Sequence, residues 1–428
     1  MRKIAPLLLI CGICPFFLKA QKVSLNQGHN YAITTTAITD DGQIGFSGGA
    51  DKLGIFWDLN TGREIDRILH NSPLKVSTFA HHSRLLAFAG NEKAISFYQV
   101  GQQKAPEAAT IDMIPQSMAF SPDNRYLFVG GIKIGAGKPL IQFDVEEKKI
   151  YRAFPIDRVN LAKLTLSKDG KFLAVAQMQG KISIWDIETQ KMLRESEKKF
   201  TYEITSLEFS PDNSRLLISG SVGWIWLWDW QGVASFQKIQ SNNIEVSYPA
   251  ARFGESAQEI LTAGGKQSQI WKTGLDKNVK RYQLLDSIPI NTIITQASFS
   301  QDCQKIFYAD NSFKCGVLER EALNKQREFP IPAIYPKSLA IHQNLIALEG
   351  SNEEIKILDL KQAEFIHSLS EIQPVNTVPL GNYKTSAFSP NGRYLASVQK
   401  NRTAIIFDLE TVEPFKSKKF EMPDLISS

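Results

Sequence analysis

The chain has 428 residues, 49 Lys and Arg against 44 Asp and Glu, a formal charge of +5, and 43% apolar residues. That length exceeds the ~100–200 residues of a usual domain, so it is either several domains or one large repeat architecture. Its charges form no concentrated basic stripe of the kind that marks nucleic-acid binders, so no nucleic-acid partner is expected.

Met1-Arg2-Lys3 is followed by an apolar run from Ile4 to Leu18, then Lys19-Ala20 before Gln21. A short basic start, an apolar run of this length and a small residue at its end read as a cleaved secretory signal over residues 1–20. The run is short of the ~20 apolar residues that a bilayer span needs, so no stable membrane insertion is expected. Cys11 and Cys14 match a C-x-x-C redox spacing but lie inside the leader and should leave with it. Export should place the remaining 21–428 outside the cytoplasm, periplasmic or extracellular. Without Arg2, Lys3 and Lys19 that part keeps 46 basic against 44 acidic residues, about +2.

From there one unit recurs to the C-terminus. A short polar turn leads into an apolar strand at "TDDGQIG" (39), "AHHSRLL" (80), "SPDNRYL" (121), "SKDGKFL" (167) and "SPDNSRL" (210). It continues at "GESAQEI" (254), "SQDCQKI" (300), "HQNLIAL" (342) and "SPNGRYL" (389), with spacings between 41 and 47 residues. After each turn comes a second apolar strand that ends near an aromatic-acid pair. Examples are Trp57-Asp58, Phe143-Asp144, Trp185-Asp186, Trp228-Asp229 and Phe407-Asp408.

Nine units of ~40–45 residues, each with room for four short strands, resemble the blades of the WD40-repeat β-propeller family. The resemblance covers nearly all of 21–428 and is most specific in the first unit, from Gly28-His29 through "SGGADKLGIFWD" to Trp57-Asp58. It implies an all-β fold, a single propeller of four-stranded blades with eight or nine blades. It also implies a structural hydrogen-bonded tetrad of His29, Ser47, Asp51 and Trp57. A buried indole N–H and imidazole need such partners. The second unit keeps His70 but offers Phe88, Glu92 and Tyr98 for the other members. The fifth keeps Ser219 and Trp228 without the turn acid. His70, Trp185, Trp228 and Trp271 are expected in blade cores. Two segments compete to close the ring: Val23-Ser24-Leu25, which the resemblance favours, and Pro414 to Phe420.

The fifth unit contains "GWIWLWDWQG" (223–232), with Trp224, Trp226, Trp228 and Trp230 at alternate positions. In a strand these point to one face. The column should mainly fill a gap between blades, with Trp224, Trp226 and Trp230 as the candidates for ligand contact.

Chemical motifs are few. "GGIKIGAGKP" (130–139) fails as a phosphate loop, because Ile132 stands where its first Gly belongs and Pro139 where Ser or Thr belongs. His81-His82 occupy a turn with no acid or Cys nearby in sequence to complete a metal site. Cys303 and Cys315 would sit some five residues apart along a hairpin, too far to bridge, with Cys315 opposite Tyr308. No catalytic residue, metal or cofactor is assigned.

The expected function is a non-enzymatic platform for protein partners. The resemblance puts their docking on the face that carries the inter-blade loops, which includes Asn30, Asp51, Glu92, Lys133–Lys138 and Val222–Trp224. A lectin-like propeller that stacks glycans on Trp224 and Trp226 is the alternative. A propeller enzyme of lactonase or quinoprotein type is a third reading, by analogy of fold.

Overall fold

The computed structural model describes residues 28–239 with short breaks, 250–329 with further breaks, and separate strands between 338 and 421. All regular structure among them is β, in eight antiparallel sheets. Seven sheets have four strands in simple up-and-down order. The chain divides into two compact units, one spanning Gly28–Ile331 and the other containing Pro332–Ser428.

The recurring turn has a local cause. In "SPDN", Ser121 Oγ donates to Asp123 and accepts the amide of Tyr126, while Asp123 accepts the amide of Arg125. The fourth residue, Asn124, then adopts a left-handed φ of 61°. The same arrangement recurs at Thr39 with Gly42, Ser167 with Gly170, Ser210 with Asn213, and Ser389 with Gly392. Those positions favour Gly and Asn for the usual steric reason. Cys303 holds the equivalent place after Ser300, with φ 57°.

Burial falls from the second and third strands to the fourth. Phe172–Gln177 and Ile182–Asp186 are almost wholly buried, since neighbouring sheets cover both their faces. Outer strands such as Glu64–Leu69 and Met192–Glu195 are largely open.

Within Gly28–Ile331 the first strands of successive sheets pack side by side. They are Ile33–Ile38, Val76–Phe79, Met113–Phe120, Leu161–Leu166, Ile204–Phe209 and Ala250–Phe253. The seventh is the end of a long strand, Tyr282–Phe299, which packs back on Ile33–Ile38. Cross-contacts lie at matching levels: Thr35 Oγ1 to Ser77 Oγ at 2.8 Å, Ser117 Oγ to the Leu164 amide at 3.0 Å, Thr36 Oγ1 to Ser298 Oγ at 3.0 Å. Ile33, Ile55 and Trp57 also share a core with Phe307, Val317 and Phe329. Within Gly28–Ile331, seven inner strands therefore form a closed circuit; the expected eight or nine blades counted the repeats beyond Ile331 as well.

The sixth and seventh units depart from separate four-stranded blades. They share one six-stranded sheet, because Glu259–Thr273 and Tyr282–Phe299 run on as strands of 15 and 18 residues. Its last strand, Gln326–Glu328, pairs with Cys315–Glu319. Val23-Ser24-Leu25 lies outside the described residues. In the second unit the strands of Ser338–Leu369 and Ser386–Glu421 form two sheets that share a core of Ala340, Ala347, Ile355, Ile357, Leu395 and Phe407. The fourth strand of the last sheet is Phe420–Glu421, so the C-terminal segment supplies it.

Candidate functional site

The tetrad residues meet in the first sheet. Trp57 Nε1 donates to Ser47 Oγ at 2.8 Å, and Ser47 Oγ lies 2.8 Å from His29 Nε2. His29 Nδ1 lies 3.1 Å from both Asp51 oxygens. With Nδ1–H donating to the carboxylate, Nε2 is left to accept the Ser47 hydroxyl. Asp51 also takes the amides of Asn30 at 2.9 Å and Leu53 at 3.1 Å. Burial alone would raise its carboxyl, but the His29 bond and these amides outweigh burial and hold it below the ordinary aspartate value. Ser, His and Asp stand in the order of an acyl-transfer triad. Ser47 and Trp57 are nonetheless 0% exposed and the Ser47 oxygen is occupied by the indole, so the set ties strands together.

Other sheets solve the same problem differently. In the second, His70 Nε2 pairs with Glu92 at 2.9 Å, Ser72 donates to Glu92, and Phe88 packs edge-on against His70 at 5.4 Å. Tyr98 turns away and donates to Asp66. In the fourth, Trp185 donates to Ser183 at 2.8 Å. In the fifth, Trp228 is buried and its Nε1 has no partner among the described residues. The Trp271 side chain lies outside the described residues.

The tryptophan column fills the space between the fourth and fifth sheets. Trp224, Trp228 and Trp230 share a core with Ala174, Ile182 and Ile184 of the fourth sheet, while Ile225 and Leu227 face the sixth. Trp224, at 8% exposure, stacks on Phe200 at 5.0 Å. Trp230 packs against Phe172 and donates to the Asn213 carbonyl at 2.9 Å. Trp226 is half-buried, with Lys198 Nζ 4.2 Å from its ring centre. As ligand contacts, Trp224 and Trp230 are thus corrected: alternation put them on one face correctly, but that face meets a neighbouring sheet. Trp226 already has a cation over it.

What this end of the ring does expose was not in the sequence reading. Tyr31 and Tyr202 precede inner strands, Ile293 precedes the inner part of its strand, and Met178 follows a second strand. All four are open, Tyr31 at 64% and Tyr202 at 58%. Lys52, Lys75 and Lys93 are exposed beside Tyr31's sheet and the next. Backbone bonds hold them in place: the Lys52 carbonyl takes the His70 amide at 2.8 Å, and the Lys75 amide reaches Ala89 at 2.9 Å. Two acids of this rim are engaged, Asp51 by His29 and Glu92 by His70. Exposed aromatics seldom signal themselves, since single apolar surface residues are common.

At the other end the turns meet. His81 Nδ1 is 3.3 Å from Asp40, the His82 amide donates to Asp40 at 2.9 Å, and the His81 amide donates to Asn124 at 2.7 Å. So an acid does stand beside the histidine pair; it comes from the preceding turn, 41 residues away. The Asp40 bond outweighs burial and holds His81 above the ordinary histidine value. No group of three or more His, Cys, Asp and Glu arranged to hold a metal occurs among the described residues.

The two remaining cysteines are free and buried. Cys315 pairs in register with Ala309, one place from the expected Tyr308. Cys303 Sγ points to the Phe253 carbonyl at 3.4 Å. Gly130 to Pro139 joins two strands, as expected for a glycine-rich hairpin.

No family model matches the chain. Its relatives are WD40-repeat proteins of low identity. It is 20% identical over 299 residues to the retinoblastoma-binding-like protein E of Dictyostelium discoideum, covering 62% of this chain and 55% of that protein. It is 22% identical over 331 residues to the human U3 small nucleolar RNA-associated protein 18 homolog, covering 73% and 57%. It is 28% identical over 115 residues to the small ribosomal subunit protein RACK1 of Drosophila melanogaster, covering 24% and 36%. The chain thus spans little more than half the length of these relatives at most.

Proposed function

We propose that this chain, a β-propeller of WD40 type, is a non-enzymatic platform that docks protein partners on the rim exposing Tyr31, Met178, Tyr202 and Ile293, and that it is exported. A ring of sheets is a rigid frame whose loops can vary without disturbing the core. The single observation that carries the reading is the composition of that rim: open tyrosines, with exposed lysines around Tyr31 whose nearby acids Asp51 and Glu92 are paired to histidines. Aromatic anchors with a polar surround are what protein interfaces favour. WD40 relatives support an interaction scaffold in general terms.

The test is capture of partners by the full chain and by Tyr31→Asp and Tyr202→Asp variants. A shared partner should be lost by both and kept by a variant of the opposite turns, such as Lys168→Met. Equal retention by all of them, or turnover of a substrate by the purified chain, would count against the reading. Export rests on the leader in the sequence, and N-terminal sequencing of secreted material should begin at Gln21. Of the two stacking residues of the glycan alternative, Trp224 packs against a neighbouring sheet and Trp226 is half-buried under Lys198, which supports the protein-docking reading over it.

A further inference from the structure

A cavity of about 200 Å³ opens at the turn end of the ring, lined among others by Lys168, Glu208, Arg252 and Gln301. These come from four different turns or inner strands. Arg252 Nε lies 3.1 Å from Glu208, and its Nη1 donates to the carbonyls of Phe299 at 3.1 Å and Ser300 at 3.0 Å. Its Nη2 has no protein partner among the described residues. Lys168 is exposed, and its ammonium likewise bonds to nothing described. Glu208 spends one oxygen on Arg252 and the other on the Phe253 amide at 2.7 Å. Both side chains of the ion pair are nearly four-fifths buried.

We propose that this cavity binds a small monocarboxylate between Lys168 and Arg252 Nη2. With Glu208 ionised, as at pH 8, two cations and one carboxylate leave a single surplus positive charge, which one anionic group neutralises. A planar carboxylate has two oxygens to offer two separate N–H donors. The volume suits a few heavy atoms, roughly seven waters' worth at ~30 Å³ each. At pH 8, where Glu208 is ionised, a dianion such as phosphate would place a second charge against it and is disfavoured. This site lies at the opposite end of the ring from the docking rim and does not depend on that reading.

Glu208 gives the site a pH signature. Burial pushes its carboxyl up to about 7, against the pull of Arg252 and the Phe253 amide. An anion beside it favours the protonated form further. Affinity therefore rises as pH falls from 8 to 6. The other charged or titratable groups around Glu208 are Arg252 on its neighbouring inner strand, Lys168 on a turn, and Cys303 on another turn. His81, held above the ordinary histidine value by Asp40, also feels Arg252, so a Glu208 variant is needed to separate the two groups.

The experiment is a saturation-transfer NMR titration of the full chain with propionate, with propionamide as the neutral control, at pH 6, 7 and 8. Propionate should bind saturably and propionamide should not. Lys168→Met, which removes no internal bond, and Arg252→Gln should each weaken propionate about tenfold, the loss of one charge-assisted bond. Glu208→Gln should keep binding and flatten its pH dependence. Equal signals from propionate and propionamide would overturn the proposal. So would affinity unchanged by both Lys168→Met and Arg252→Gln, tighter binding of inorganic phosphate than of propionate at pH 8, or a pH dependence that survives in Glu208→Gln.

Discussion

At the scale of single residues, the first and fifth sheets offer a controlled comparison. Trp57 and Trp228 are both buried, but the Trp57 N–H reaches Ser47 while the Trp228 N–H reaches no acceptor among the described residues. Replacing either with Phe removes similar apolar area. Trp57→Phe also takes from the buried Ser47 oxygen its indole donor, whereas Trp228→Phe removes a donor with no described partner. Trp57→Phe should therefore cost at least about 1 kcal/mol more than Trp228→Phe in urea unfolding. Equal costs would mean the tetrad adds nothing beyond packing. The Asp40–His81 pair makes a second prediction, on pH. His81 is raised in the folded state, so its contribution is complete below ~6.5 and is lost as pH rises through its folded value. The melting temperature lost on His81→Gln should be larger at pH 6 than at pH 8.5. Since the imidazole is 39% exposed, the difference should also shrink in high salt.

At the scale of elements, the tryptophan strand shows what pattern does and does not carry. Period two correctly put Trp224, Trp226, Trp228 and Trp230 on one face, because side-chain alternation follows from the pleat itself. Which object lay across from that face depended on Phe200, Phe172 and Ile184, which are 20 to 60 residues away in sequence. Trp224→Ala should cost about 3–5 kcal/mol, as for any large buried aromatic. A reciprocal test comes from Gly220, where an added Cβ would lie 2.1 Å from the Trp224 ring. Gly220→Ala should cost about 1–3 kcal/mol by overpacking. Thermal melts of both variants check this; a Trp224→Ala protein as stable as the parent would reopen the column as a surface. The turn motif was legible for the same local reason as the strand, since its Ser, Asp and Gly or Asn each make bonds within five residues. The meeting of Asp40 with His81, and of Lys168 with Glu208 and Arg252, was not legible, because each joins separate turns that only the ring brings together. The long strands Glu259–Thr273 and Tyr282–Phe299 were missed as well. Trp271 and the turn at 254 kept the repeat spacing, so nothing local marked that two units would share a sheet.

At the scale of the molecule, counting repeats and closing a ring are separate matters. Nine units are written in the sequence, but closure depends on which sheet finds the exposed side of the first. The seventh unit does so, through Ser298 with Thr36, Lys305 with the Gly42 carbonyl at 3.2 Å, and Phe329 tilted against Trp57 at 5.3 Å. A closed circuit has no unpaired inner face, and neighbour-to-neighbour packing is the source of stability in such repeats. Everything those seven units need for closure lies between Gly28 and Ile331. A fragment of residues 28–331 should therefore unfold cooperatively, with a melting temperature within a few degrees of the same transition in the full chain. Thr36→Val with Ser298→Ala should lower that transition, whereas substitutions at Ala347 or Phe407, in the core of the other unit, should leave it unchanged. A fragment that fails to melt cooperatively would show that 332–428 is part of the closure. In that case the sequence's count of eight or nine blades would be the better guide to the ring than its first seven inner strands.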